Sequence, residues 1–177
     1  MTDIAPEFSR PMPWGSVSRK EKREELEATE AERAALASRF GILEIGTLRA
    51  NLRLRLEAGG TARVRGILTA DVVQACVVTL EPVPQHIEEP VDLRFLPEGA
   101  ESEDDPDGPD EILTEGGALE LGEAIAEQLS LALDPYPRVP GAKLELEFEA
   151  PEEEEAAEEE PPRPNPFAKL AALKDKP

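Results

Sequence analysis

The sequence predicts an α+β fold, and three observations predict it. A period-two run of leucines and arginines over 47–56 is joined by a Gly-Gly pair to a second alternating run. A third alternating run ends at Leu96, and an amphipathic stretch over 119–133 places its apolar residues at helical spacing. The expected architecture is an antiparallel β-sheet, a hairpin plus further strands, covered by two helices, with a disordered acidic loop and tail. A length of 177 residues suits one domain with tails. The aromatic residues are five Phe, one Trp and one Tyr, so the core must be built from Leu, Val, Ile and Ala.

Each element follows from local signals. Residues 1–17 show no period and contain Pro6, Pro11 and Pro13, so an extended lead-in is expected. Residues 18–40 read as helix. Thr29 with Glu32 three residues on makes a capping box and a possible second start, and Gly41 stands where a left-handed C-terminal residue belongs. The apolar set Ala31, Ala34, Ala35, Leu36 and Phe40 is only weakly striped. In the first strand Leu48, Leu52, Leu54 and Leu56 face one way, and Arg49, Asn51, Arg53 and Arg55 the other. Gly59-Gly60 supplies the hairpin turn.

The next run sets Ala62, Val64, Gly66, Leu68 and Ala70 against Arg63, Arg65, Ile67 and Thr69, and continues through Cys76 to Val78. Pro82 and Pro84 are expected to stop it, because proline donates nothing to a ladder. In the third run, Ile87–Leu96, Val91, Leu93 and Phe95 point inward, and Pro90 suggests a sheet edge. Leu121, Ala124, Ile125, Gln128, Leu129 and Ala132 mark the second helix, which Asp134-Pro135 ends. Leu144, Leu146 and Phe148 alternate with glutamates as a short strand. Asn165 caps a short C-terminal helix with Pro166 at its first position and Phe167, Leu170 and Leu173 along one side.

The chain carries 19 basic and 39 acidic residues, a net charge of −20, but unevenly. Residues 1–97 hold 13 basic and 15 acidic residues, 98–160 hold 2 and 23, and 161–177 hold 4 and 1. The acid lies in Glu98–Glu111 (EGAESEDDPDGPDE) and Glu145–Glu160, which reads as a loop and a tail kept extended by self-repulsion. The expected organisation is a lead-in over 1–17, a single α+β domain over 18–144 with an acidic loop at 98–111, an acidic tail over 145–164 and a basic amphipathic helix over 165–177.

Several classes of function drop out. A single cysteine, Cys76, excludes an internal disulfide framework and fits a reducing compartment. Cys76 lies in the most apolar strand and is expected to be a packing residue. A single histidine, His86, leaves no histidine-based metal site, and its setting among prolines and glutamates suggests a solvated turn residue. Met1–Pro11 has no apolar signal core, and the longest apolar stretch, Val72–Leu80, is far short of the roughly 20 residues of a membrane helix. A cytoplasmic protein is expected, with no cofactor, no metal, no small-molecule substrate and no enzymatic activity. The glycine pairs lack phosphate-loop spacing, and no group of side chains forms a catalytic constellation.

One constellation stands above this background. Arg49, Arg53 and Arg55 share a strand face, Arg63 and Arg65 share one on the hairpin partner, and within Thr47–Thr69 the only acid is Glu57. If the faces coincide, they make either an ordinary solvated face or a basic patch able to grip phosphate through guanidinium forks. The patch lacks interleaved aromatics, so backbone rather than base-stacking contacts are expected.

Four segments carry a resemblance. They are Asp71–Val83 (DVVQACVVTLEPV), Glu111–Pro137 (EILTEGGALELGEAIAEQLSLALDPYP), Asn165-Pro166-Phe167-Ala168 with Leu170 and lysines after it, and Glu7-Phe8-Ser9-Arg10-Pro11. In this order and spacing they resemble the YceD family of large ribosomal RNA subunit accumulation proteins. The resemblance implies a role in accumulating or maturing large-subunit ribosomal RNA. Many members look like C-x-x-C at the Cys76 strand, often with another Cys after the second proline. Here Thr79 holds the second position and Arg138 and Val139 follow Pro137. The expected partners are large-subunit ribosomal RNA or its precursor particle and a basic ribosomal protein. Arg49, Arg53, Arg55, Arg63 and Arg65 would meet RNA, and Phe167, Leu170, Leu173, Lys169 and Lys174 a protein. An acidic adaptor or chaperone without RNA contact is the alternative.

Overall fold

The leucines of 48–54 alternate with polar residues because every second residue is buried, and this strand is the spine of the fold. In the computed structural model, which describes residues 6–102, 108–114 and 116–143, strand β3 spans Glu44–Leu56 and pairs antiparallel with β2 (Lys22–Glu27) and β4 (Ala62–Ala75). Strand β5 (Pro82–Leu96) continues the sheet, and a short β6 (Asp110–Leu113) closes it, so the order is β2-β3-β4-β5-β6. Two three-residue strands, β1 (Pro11–Pro13) and β7 (Ala118–Glu120), form a separate ribbon. The helices are α1 (Glu30–Phe40) and α2 (Leu121–Ala132). The chain divides into two units, Met1–Leu144 and Glu145–Pro177, and the second lies outside the described residues.

One face of the sheet makes the core. Leu48, Ala50, Leu52, Leu54, Val64, Leu68, Val91 and Leu93 are buried on it. Helix α1 packs on β3, and α2 packs on β4, β5 and β1. The α+β expectation therefore holds, with one addition: β6 runs parallel to β5, so the sheet is mixed. The hairpin turn lies at Gly59-Gly60, both at positive φ, with Glu57 N–H donating to Thr61 O at 2.8 Å. Helix α2 buries Leu121, Ala124, Ile125 and Leu129, as its periodicity predicts.

Four expectations need correction. Residues 18–40 are not one helix: Lys22–Glu27 is strand β2, and the helix starts at the Thr29 cap, where Thr29 Oγ1 accepts from Glu32 N–H and Glu32 Oε2 accepts from Thr29 N–H at 2.8 Å. Pairing with β3 overrides a weakly striped helical pattern. The lead-in is part of the fold from Phe8 onward, because Phe8, Met12 and Val17 are buried. The third strand begins at Pro82 rather than Ile87; the prolines fit because β5 meets β6 only over Leu93–Leu96, which leaves the flank beyond Pro82–Pro90 without a partner strand. The acidic loop ends in a strand, since Asp110 and Glu111 belong to β6. Residues 103–107 of that loop, the strand expected at Leu144–Phe148, the acidic tail and the C-terminal helix lie outside the described residues.

A tight crossing joins the N-terminal segment to the rest. The helix α2 passes so close to Phe8 that a Cβ at Gly122 would lie 2.1 Å from Phe8 O. Arg10 then clamps the segment to α1. Its Nη1 and Nη2 donate to Glu32 Oε1 and Oε2 at 2.7 and 2.9 Å, and Nη2 also reaches Glu27 O at 3.1 Å. The guanidinium sits 4.6 Å from the Phe8 ring centre. Arg39 bridges Glu7 and Glu123 in the same region. These contacts explain why Glu7-Phe8-Ser9-Arg10 and Leu121-Gly122-Glu123 occur in one chain: Ser9 Oγ even donates to Glu120 Oε2 at 3.0 Å.

Candidate nucleic-acid interface

The face opposite the helices is open, and its outward side chains stand in register, so they form rows across the strands. One row is Arg55, Arg63 and Arg94. The next is Arg23, Arg53, Arg65 and Asp92, and beyond it come Glu25, Asn51, Ile67 and Pro90. A further row holds Glu27, Arg49, Thr69 and Glu88, and next to it, before a bulge between Thr47 and Ile45, lie Thr47, Asp71 and His86. The five arginines expected from the hairpin do share this face. Arg23 joins them from β2, which the helical reading of 18–40 concealed.

The expectation that Glu57 is their only nearby acid is wrong in three dimensions, because β2 and β5 bring Glu27 and Asp92. Arg49 donates to Glu27 Oε1 from Nε and Nη2 at 3.1 and 2.9 Å, a contact that raises the affinity of its guanidinium for its proton. Arg55 Nη2 donates to Glu57 Oε1 at 3.2 Å. Arg94 pairs with Glu57 and Glu111. Arg63 is only 7% exposed and donates from Nη2 to Asp92 Oδ2 at 2.7 Å. Arg65 shares the same carboxylate through Nε at 3.2 Å. Burial pushes the Asp92 carboxyl up, but the two guanidiniums outweigh it and hold it below its usual range.

Arg23 and Arg53 differ. Both are exposed, and neither has a hydrogen bond or ion pair among the described residues. They line, with Arg65, Glu25, Asn51 and Ile67, an open depression of about 840 Å³. Gly66 lies in its lining, and a Cβ there would lie 2.0 Å from Asn51 O, so the close approach of β4 to β3 at this point needs glycine.

Two other groups were singled out by the sequence. His86 is solvated but sits on β5 rather than in a turn, with Nδ1 2.6 Å from Asp71 Oδ1. That contact, with a bond from Thr47 Oγ1 at 2.7 Å, holds the Asp71 carboxyl below its usual range. Thr47 bonds the carboxylate and not the imidazole, so the row contains no base-activated hydroxyl. Cys76 is fully buried in the turn after β4. Hydrogen bonding from Thr79 outweighs burial and brings its thiol down to about 7. Val77 N–H donates to Pro137 O at 2.9 Å, so the chain after the second proline meets the Cys76 turn, where Thr79 is the polar neighbour. Phe167, Leu170, Leu173, Lys169 and Lys174 lie outside the described residues.

The sheet thus has helices on one face and, on the other, rows of guanidiniums and carboxylates. Residues 64–174 match the family described as Large ribosomal RNA subunit accumulation protein YceD, and the chain belongs to that family. Its role thus lies in the accumulation of large-subunit ribosomal RNA. Neither the curated proteins nor the solved structures gave a match. The matched span takes in Arg65 and the Cys76 turn but leaves out Arg23, Arg49, Arg53, Arg55 and Arg63. Among the described residues no helix is long and apolar enough to cross a membrane.

Proposed function

We propose that this protein is a non-enzymatic, cytoplasmic ribosome-biogenesis factor that supports accumulation of large-subunit ribosomal RNA by touching the RNA backbone through its open sheet face. The observation that carries this reading is the register of Arg23, Arg53 and Arg65 across three strands, two of them without a carboxylate among the described residues. Guanidiniums present forks that match phosphate oxygens. Family membership supplies the RNA. A basic ribosomal protein, drawn to the acid of 98–160, is a second partner, and the amphipathic segment with Phe167, Leu170 and Leu173 suits docking in a groove.

The net charge of −20 favours one competing reading, an acidic adaptor that binds proteins only. Complementation separates the two. In a strain lacking the protein, a variant with Arg23, Arg53 and Arg65 all changed to Gln should fail to restore large-subunit particles on a sucrose gradient. Full restoration by that variant at normal protein levels would move the assignment to the adaptor.

A further inference from the structure

We infer that the Arg23–Arg53–Arg65 row seats the phosphodiester backbone of single-stranded RNA, with the bases turned toward Asn51 and Ile67. This rests on the reading of the open face as an RNA surface and narrows it to one row and one form of RNA.

Charge balance points to this row. The three arginines are direct cross-strand partners, and neighbouring strands lie about 4.8 Å apart, so the row spans roughly 10 Å. Like charges placed directly opposite are destabilising. Elsewhere on the face the fold answers each such arginine with a carboxylate: Glu27 for Arg49, Glu57 for Arg55, and Glu57 with Glu111 for Arg94. Among the described residues this row receives Asp92 alone, and Asp92 also serves the buried Arg63. Arg23 and Arg53 thus keep their donors free of any carboxylate among the described residues.

The surroundings select the form of RNA. Glu25 flanks the row, and Glu27 and Glu88 stand about 13 Å along the strands at roughly 3.4 Å per residue. On the other side the row Arg55, Arg63 and Arg94 is already matched by Glu57, Asp92 and Glu111, so the strip of unmatched positive charge is one row wide. A single strand can lay its phosphates along it. A duplex presents two backbones across a wide, shallow groove, and the second would fall on those glutamates. On the side of the next row, Asn51 offers a donor and an acceptor to a base edge, and Ile67, 47% exposed, offers an apolar plate. The depression floored by these residues is in the size range of small-ligand sites.

The test uses the full chain and a fluorescein-labelled 12-nucleotide RNA, alone or annealed to its complement, with anisotropy read at 50 and 200 mM salt. The single strand should bind at least about fivefold more tightly than the duplex. Arg23→Gln with Arg53→Gln should weaken single-strand binding at least about tenfold and reduce the salt slope by about 1.4, at roughly 0.7 per lost phosphate contact. Arg49→Gln with Arg55→Gln, which removes paired arginines, should change it less than about twofold. Arg53→Lys keeps the charge and guards against a folding artefact; it should retain most of the affinity. Equal or tighter binding of the duplex, still lost in the Arg23/Arg53 variant, would overturn the single-strand seat and leave the RNA face standing. RNA binding that is absent, or unchanged in that variant, would overturn both.

Discussion

Arg10 and Arg53 are the same residue put to opposite uses. Arg10 is enclosed: two bonds to Glu32, one to Glu27 O, one to Ser9 O at 2.7 Å, and the Phe8 ring at its side. Glu32 answers by dropping to about 2, chiefly through its bond from Arg10. Arg53 is exposed and bonds to nothing among the described residues. The contrast separates an arginine whose donors are spent on the fold from one whose donors meet none of the described residues. A guanidinium whose donors are spent on its own chain has no fork left for phosphate.

The enclosed region should be the fragile one. Gly122→Ala should have the largest effect, since its Cβ would strike the Phe8 carbonyl at 2.1 Å while Arg10 prevents that segment from moving aside. A loss of about 3 kcal/mol or more is expected, read by urea denaturation. Arg10→Ala should come next, at about 1–2 kcal/mol, because it removes the bonds to Glu32 and to two carbonyls together, in a partly exposed setting. Neither change should alter the RNA affinity of the folded fraction; a selective loss of affinity would blur the comparison.

Acid offers a second way to break the enclosed side. The Glu32 carboxyl is lower in the folded chain than its ordinary 4.5, so the stability it contributes is complete above about pH 4.5 and lost as pH falls toward 2. With part of that pair open to solvent, roughly 1–2 kcal/mol should disappear across this window. Glu32→Gln should flatten the stability profile there, and an unchanged slope would contradict the assignment. Cys76→Ala should cost about 1 kcal/mol by removing a small buried group, with large-subunit RNA levels intact in a complemented strain. The smallest effect belongs to Arg53→Gln. As an exposed residue without a partner among the described residues it should shift stability by less than about 0.5 kcal/mol, and a larger loss would mean that it, too, holds the fold.

Local signals in the sequence were enough for the elements whose partners lie nearby. The alternation of Leu48–Leu54, the Gly59-Gly60 turn, the Thr29–Glu32 cap and the stripe of α2 each reflect chemistry within a few residues, so they were legible without a fold. The basic face was legible to the same extent, as five arginines of alternating position. Tertiary structure decided everything that depends on pairing across long separations. It made 22–27 a strand by setting it beside β3, and so added Arg23 to the face. It brought Glu27 and Asp92 onto three of the five predicted arginines, Arg49, Arg63 and Arg65, kept Arg55 with the nearby Glu57, and gave Arg53 no carboxylate among the described residues. It also buried Phe8 under α2, where Gly122 alone gives its backbone room. Charge neutralisation acts over a few ångströms in space, and those ångströms join residues more than 20 positions apart in the chain, as in Arg49 with Glu27 and Arg63 with Asp92. No window of neighbouring residues contains that distance.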